Sequence, residues 1–166
     1  YRRQRQMCIR DRFKGLDTDK KLVIAGGGSD TSDFELHLHE LAADDPCIVF
    51  TGFVSGKPLE ELYSNCFAYV LPSDVEGIPM SLLEAMAYGR CCVTSDIPEC
   101  ADVLAGNGVT FEKGSAESLR DVLRDLLARG EHVSQLGIAA KAHVEKAYTW
   151  DSVVSRTLAV YEGEAR

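Results

Sequence analysis

The sequence predicts a Rossmann-like α/β domain built on a doubly wound parallel sheet, with helices at its C-terminal end. Short apolar runs alternate with helical patterns from Lys21 onwards, as in proteins whose strands and helices alternate along the chain. The runs are continuously apolar, as expected for strands that helices cover on both faces. Glycine or proline follows most runs and marks a turn. In such sheets, ligands bind beyond the carboxyl ends of the strands.

Each element follows from local pattern. The predicted strands are 21–25, 47–51, 67–71, 91–94 and 109–111. The predicted helices are 32–43, 58–64, 79–88, 98–104, 115–129, 131–147 and 151–162. Pro58 and Pro79 stand at first helical positions, where the missing N–H is harmless, and Gly89 ends the helix that begins at Pro79.

Composition bounds the class of protein. The 166 residues suffice for one hydrophobic core, and 45% of them are apolar, but no apolar run is long enough to span a bilayer. The net charge of -8 disfavours binding to nucleic acid. Six cysteines without a CxxC spacing predict reduced, buried thiols and a cytoplasmic location.

The first twelve residues differ from the rest of the chain. They are strongly basic, and MCIRDR at 7–12 reads like a translated sequencing-library adapter. We therefore predict that 1–12 is an adapter-derived or disordered segment, and that 13–166 is the folded domain. On this interpretation, the natural protein begins further upstream.

Residues 73–87 hold the features that indicate chemistry. This segment follows a predicted strand and opens a helix, whose first N–H groups lack intrahelical acceptors and can bind an anion. Glu76 precedes the helix, and Glu84 lies about one and a half turns inside it. Glu84 is flanked by apolar residues, an unusual place for a charge without a function. Carboxylates here could accept hydrogen bonds from hydroxyl groups on both sides of a bound diphosphate.

These residues resemble a known family. The spacing of Glu76 and Glu84 is similar to the E-x7-E motif of GT-B glycosyltransferases of family 4, and residues 83–89, LEAMAYG, resemble that family's LEAMA-x-G. Further similarity occurs in order at 23–28, 51–54, 62–63, 71–73, 98–99 and 148–150. The resemblance implies the donor-binding C-terminal half of a GT-B fold, and a retaining hexosyl transfer from a nucleoside diphosphate sugar without a metal or cofactor.

The resemblance also implies roles for particular residues. Glu76 matches the glutamate that contacts the transferred sugar near the reaction centre, and Glu84 matches the one that accepts hydrogen bonds from the ribose. Backbone amides that bind sugar and phosphate map onto Gly77, Ile78, Met80 and Ser81. The family often has glycine where this chain has Pro79, which has no N–H to donate.

Two further stretches match donor-binding positions. The backbone around Val54 matches the position that contacts the nucleotide base. Gly26 and Gly27 belong to a glycine-rich turn that lets the main chain approach the ligand, although the same turn serves equally as an ordinary connection between strand and helix.

Some parts of such enzymes have no counterpart here. The Arg and Lys that stabilise the leaving diphosphate precede the position of Lys21 in the family, whereas Lys14, Lys20 and Lys57 do not match them and are predicted surface charges. The sugar or lipid-linked acceptor would bind a further domain, so catalysis by this chain alone is not expected. That domain could also attach the enzyme peripherally to a membrane. The apolar positions of the last helix, Val153, Val154, Leu158 and Tyr161, are expected to be partly exposed.

Two alternatives remain open. The first is a dinucleotide-binding oxidoreductase domain, but Gly26-x-Gly28 is followed by Thr31 instead of a third glycine, and no acidic residue ends the second strand. The second is a non-catalytic relative that keeps the glycosyltransferase fold. The base, donor sugar, acceptor, linkage and oligomeric state are not readable from the sequence.

Overall fold

A computed structural model describes residues 16–26, 39–40, 42 and 45–163. Its strands are β1 (Leu22–Ala25), β2 (Ile48–Gly52), β3 (Ala68–Leu71), β4 (Cys91–Ser95) and β5 (Val109–Phe111). Its complete helices are α1 (Lys57–Asn65), α2 (Met80–Ala87), α3 (Pro98–Leu104), α4 (Ala116–Ala128), α5 (Gly130–Ala147) and α6 (Trp150–Tyr161). The predicted α/β class and strand-helix order are confirmed.

All described strand pairs are parallel. β1 pairs with β2, while β3, β4 and β5 form a second sheet in that order. Successive parallel strands need a helical crossover, which α2 supplies between β3 and β4, and α3 between β4 and β5. This arrangement brings the carboxyl ends of β3 and β4 side by side, with Leu71 opposite Thr94.

The central strand β4 is buried on both faces. Cys92 packs in a cluster with Leu82 and Met86 of α2, whereas Cys91 and Val93 pack in a second cluster with residues of α4. Because side chains alternate along a strand, two covered faces require a continuous apolar run, which is the pattern in the sequence. Leu22 of β1 packs against the second cluster and so joins the two sheets.

Three of the six predicted buried thiols are found in this core, whereas Cys47 and Cys66 are partly buried and Cys8 lies outside the described residues. Cys91, Cys92 and Cys100 are almost completely buried. Burial raises the pKa of Cys91 and of Cys100 to about 11, and it raises the pKa of Cys92 as well. These groups are therefore neutral thiols at physiological pH and pack as small hydrophobic side chains.

Local sequence explains where the helices begin. The Ser115 side chain accepts a hydrogen bond from the Ser118 N–H at the start of α4, and Thr149 caps α6 through the Ser152 N–H in the same way. Pro58 lies in the first turn of α1. Pro79 is the residue before α2, not its first residue as predicted. Its carbonyl oxygen accepts the first helical hydrogen bonds, while its ψ of 90° places it in an extended conformation outside the helix.

The other predicted boundaries that fall within the described residues agree with the structure to within one or two residues, which is the usual uncertainty at an element end. Within the predicted helix 32–43, the described residues His39, Glu40 and Ala42 are helical, and the others lie outside the described residues. The predicted segment 1–12 also lies outside them, so the division at residue 12 stays a prediction.

The apolar positions of α6 are exposed as expected. Val153, Val154 and Leu158 are each about half exposed, and Tyr161 is 84% exposed. No helix in the described part of the chain is long and apolar enough to cross a membrane.

α5 and α2 meet through two glycines. Gly89 follows α2 with φ +69°, a conformation that favours glycine at a helix end. A Cβ added to Gly137 of α5 would overlap the Gly89 carbonyl oxygen. The backbones of α5 and this turn can approach closely only because residue 137 has no side chain.

We expect Gly137→Ala to lower the free energy of unfolding by roughly 2–3 kcal/mol, the usual cost of inserting a methyl group into a packed site. Gly130→Ala is the matched control, since a Cβ at Gly130 of the same helix meets no atom within 4 Å. Urea unfolding of both variants measures the difference. Equal stability of the two would contradict the close approach at Gly137.

Candidate donor site

The loop between β3 and α2 positions Glu76. The Ser95 hydroxyl at the end of β4 donates a hydrogen bond to the Ser73 carbonyl oxygen, and the Ser73 hydroxyl donates to Glu76 Oε1. Ser73 and Ser95 are buried, and Glu76 is half-buried. This chain of hydrogen bonds attaches the Glu76 carboxylate to the core, beyond the carboxyl ends of the two strands.

Several backbone donors lie next to Glu76. The N–H groups of Leu82 and Leu83 donate to the Pro79 carbonyl oxygen. Within the described residues, by contrast, no acceptor is present for the amides that the sequence singled out: Gly77, Ile78, Met80 and Ser81. Unpaired N–H groups at a helix N-terminus carry partial positive charge, so this part of the site is suited to an anion.

Glu84 lies further along α2 and is exposed. The hydroxyl of Tyr63, which is otherwise buried in α1, lies 3.0 Å from Glu84 Oε2 and donates to it. The Ser81 carbonyl oxygen lies 3.4 Å from the same hydroxyl. One carboxylate oxygen is thus held by the protein, and the other has no protein donor within the described part of the chain.

Tyr69 of β3 contacts the same helix. Its hydroxyl donates to Ser81 Oγ at 2.8 Å. Burial raises the pKa of Tyr69 to about 12, and the nearby Glu76 charge contributes in the same direction. Tyr69 is therefore within electrostatic range of the Glu76 carboxylate, and its hydroxyl holds Ser81.

The glycine-rich turn and the Val54 region belong to the other sheet. The Gly26 N–H donates to the Gly52 carbonyl oxygen at 2.9 Å, which joins the carboxyl ends of β1 and β2 two residues before Val54. Gly26 has φ +126°, which residues with a side chain rarely adopt. Gly27 lies outside the described residues. The structure thus joins Gly26 to Gly52, two residues before Val54, and joins Glu76 to Ser73.

Four residues of this network were not predicted as part of the site: Tyr63, Tyr69, Ser73 and Ser95. The signal for the tyrosines was their polar hydroxyl within apolar patterns, because a buried tyrosine usually finds a hydrogen-bond partner. The serines follow strands at the predicted ligand-binding edge. Which acceptor each hydroxyl reaches depends on strand register, which the sequence does not give.

The fold is that of GT-B glycosyltransferases. The structure of HepE from Anabaena in complex with UDP and glucose superposes with a TM-score of 0.80 at 16% sequence identity, covering 98% of this chain and 45% of HepE. This likeness shows the class of fold. The present chain matches one part of the longer HepE protein.

Sequence comparison identifies the family. The family model for glycosyl transferases group 1 matches residues 9–143, so the chain belongs to that family. An uncharacterized glycosyltransferase of Methanocaldococcus jannaschii is 29% identical over 165 residues, which cover 98% of this chain and 42% of that protein. Lipopolysaccharide 1,6-galactosyltransferase of Escherichia coli is 29% identical over 143 residues, which cover 81% of this chain and 40% of that protein.

The chain spans less than half the length of each of these proteins. The family match confirms the resemblance that the sequence indicated, while the roles of Glu76 and Glu84 stay predictions. It does not favour the dinucleotide-binding oxidoreductase alternative.

We expect Tyr69→Phe to flatten the loss of stability in alkali. The folded chain keeps the Tyr69 proton up to about pH 12, whereas an unfolded chain releases it near pH 10. The resulting stabilisation is complete below about pH 10 and is lost as the pH rises toward 12. Urea unfolding at several pH values in this window measures the slope of the unfolding free energy.

Tyr161→Phe is the control for that experiment, because Tyr161 is exposed on α6. It should keep the wild-type slope. If Tyr69→Phe also keeps the wild-type slope, the Tyr69 hydroxyl titrates alike in the folded and unfolded chains. The hydroxyl would then not be buried in the folded chain as described.

Proposed function

We propose that this chain is the donor-binding half of a retaining, metal-independent glycosyltransferase that uses a nucleoside diphosphate sugar. The observation that supports this most directly is the start of α2, where unpaired amides lie between two carboxylates. A nucleoside diphosphate sugar has the complementary order of groups: hydroxyl groups on the ribose, a diphosphate, and hydroxyl groups on the sugar.

In this proposal the diphosphate binds the N–H groups of Gly77, Ile78, Met80 and Ser81. These groups and the dipole of α2 offset the charge that develops on the departing nucleoside diphosphate. Fixed backbone donors can serve this purpose without a metal ion, which supports the metal-independent mechanism. Arg and Lys residues of the complete enzyme would add to this stabilisation.

The two glutamates divide the remaining contacts. Glu84 would accept hydrogen bonds from the ribose, because its second carboxylate oxygen is exposed and has no donor from the described protein residues. Glu76 would contact the transferred sugar near the reaction centre, since it precedes the free amides in the chain, whereas Glu84 follows them, and since Ser73 holds its carboxylate. Glu76 is then the residue of this chain nearest to the bond that breaks.

Relatives support the substrate class. One structural relative is known in complex with UDP and glucose, and one sequence relative is a lipopolysaccharide 1,6-galactosyltransferase. We infer a role in polysaccharide or glycolipid assembly on the cytoplasmic side of a membrane. The acceptor would bind a further domain, so the isolated chain should bind donor without transferring sugar.

We expect UDP, GDP or ADP to raise the melting temperature of the chain, and Glu84→Ala to remove most of that shift. The loss of ribose hydrogen bonds to a charged group should weaken binding on the order of tenfold or more. Differential scanning fluorimetry with each nucleotide measures the shift. The shift should be the same with Mg²⁺ and with EDTA.

Glu131→Ala is the matched control, because Glu131 is an exposed glutamate in the first turn of α5. It should keep the full nucleotide-dependent shift. A chain that responds to none of the three nucleotides, or one that binds NADH instead in a fluorescence titration, would contradict the proposed function. Binding that depends on Mg²⁺ would contradict metal independence alone. A non-catalytic relative would bind donor normally but leave the complete protein without transferase activity.

A further inference from the structure

Two tyrosines approach α2 from different elements. Tyr63 is on α1 and Tyr69 is on β3, and the centroids of their rings lie 6.0 Å apart. The Tyr63 ring also stacks on Tyr88 at 5.5 Å, just after α2. We refer to Tyr63 and Tyr69 as the tyrosine pair. Their rings are fixed by these contacts and by the surrounding core.

The acceptors of the tyrosine pair lie on one face of α2. Tyr63 donates to Glu84 Oε2 at 3.0 Å, and Tyr69 donates to Ser81 Oγ at 2.8 Å. Ser81 and Glu84 are three residues apart, a spacing that places side chains side by side on a helix. Two neighbouring polar side chains at the predicted donor site are therefore each held by a tyrosine hydroxyl.

Such support matters most for Glu84. An exposed glutamate samples several rotamers, and ordering it upon ligand binding costs side-chain entropy. A hydrogen bond from a rigid tyrosine selects one orientation in advance and leaves Oε1 open to a ligand. Ser81 is also oriented by its tyrosine. Its hydroxyl accepts a hydrogen bond from Tyr69 and can still donate its own hydrogen to a ligand.

We propose that Tyr63 and Tyr69 are positioning residues of the donor site, with Tyr63 orienting Glu84 toward the ribose hydroxyls and Tyr69 orienting Ser81 toward the diphosphate. This inference rests on the proposed function. Neither tyrosine touches the ligand itself. The tyrosine pair acts through α2. Tyr63 should affect how the site distinguishes a ribonucleotide from a dideoxy nucleotide, and Tyr69 should affect how strongly the site binds the diphosphate that both carry.

The test compares each ribonucleoside diphosphate with its 2′,3′-dideoxy counterpart. Isothermal titration calorimetry of the 166-residue chain with UDP, GDP and ADP identifies the base that binds best. Tyr63→Phe should weaken binding of that ribonucleotide on the order of threefold to tenfold, and leave the dideoxy nucleotide nearly unchanged. Retained binding of the dideoxy nucleotide also shows that the variant is folded.

Two controls isolate the hydroxyl of Tyr63. Tyr88→Phe changes a tyrosine that stacks on the same ring, and its hydroxyl has no protein partner within the described residues, so both nucleotides should bind as in the wild type. In a Glu84→Ala background, Tyr63→Phe should cause no further loss, because the group it orients is gone.

Tyr69→Phe should give a different pattern. It should weaken the ribonucleotide and the dideoxy nucleotide by the same factor, since both carry the diphosphate that Ser81 is proposed to contact. In a Ser81→Ala background, Tyr69→Phe should cause no further loss of affinity for either nucleotide.

The outcomes separate the two proposals. If wild type prefers the ribonucleotide but Tyr63→Phe weakens both nucleotides equally, or neither, the positioning role of Tyr63 is wrong while the proposed function stands. If Tyr69→Phe leaves both affinities unchanged, the role of Tyr69 is wrong. If wild type binds no nucleoside diphosphate, the proposed function fails, and the positioning role fails with it.

Discussion

The burial of β4 on both of its faces is the constraint on which the rest of the structure depends. Its side chains point alternately into two hydrophobic clusters, so helices must pack on both sides of the sheet. Parallel neighbours follow from this, because each crossover helix is needed to cover a face. The carboxyl ends of β3 and β4 then open at one edge, and the loop before α2 begins there.

Polar groups connect this core to the surface at that edge. Ser95 ends the buried strand, and its hydrogen bond to Ser73 continues through the Ser73 hydroxyl to Glu76. On the other side, the tyrosine hydroxyls reach α2 from α1 and β3. Buried polar groups are stable only when they are hydrogen-bonded, so these contacts serve the core and fix the site at the same time.

The start of α2 combines two physical properties that rarely coincide. Its backbone amides attract negative charge, whereas Glu76 and Glu84 repel it. Both properties are compatible with one ligand only if its charge is concentrated between the carboxylates and its ends carry hydroxyl groups. In the proposed function, a nucleoside diphosphate sugar meets that requirement, which is in keeping with membership of the glycosyl transferases group 1 family.

Much of the fold and the family of this protein could be predicted from the sequence, because the patterns that indicate them lie within short segments. Continuous apolar runs indicated buried parallel strands, and the helix boundaries agreed to within one or two residues. The spacing of Glu76 and Glu84 and the segment LEAMAYG indicated the family. Pro79 was misplaced by one position, since a proline before a helix and one in its first turn leave the same pattern.

The tertiary structure decided which groups meet. No local pattern shows that Tyr63 reaches Glu84 twenty-one residues away, or that Ser95 reaches Ser73 across twenty-two. Those contacts depend on the register of β3 against β4 and on how α1 and α2 pack against the sheet. The sequence alone indicated the elements and the two candidate carboxylates, because each depends on a few neighbouring residues, and it indicated the family through several such segments in order. The orientation of those carboxylates depends on distant hydroxyls, which only the folded chain brings within hydrogen-bonding distance.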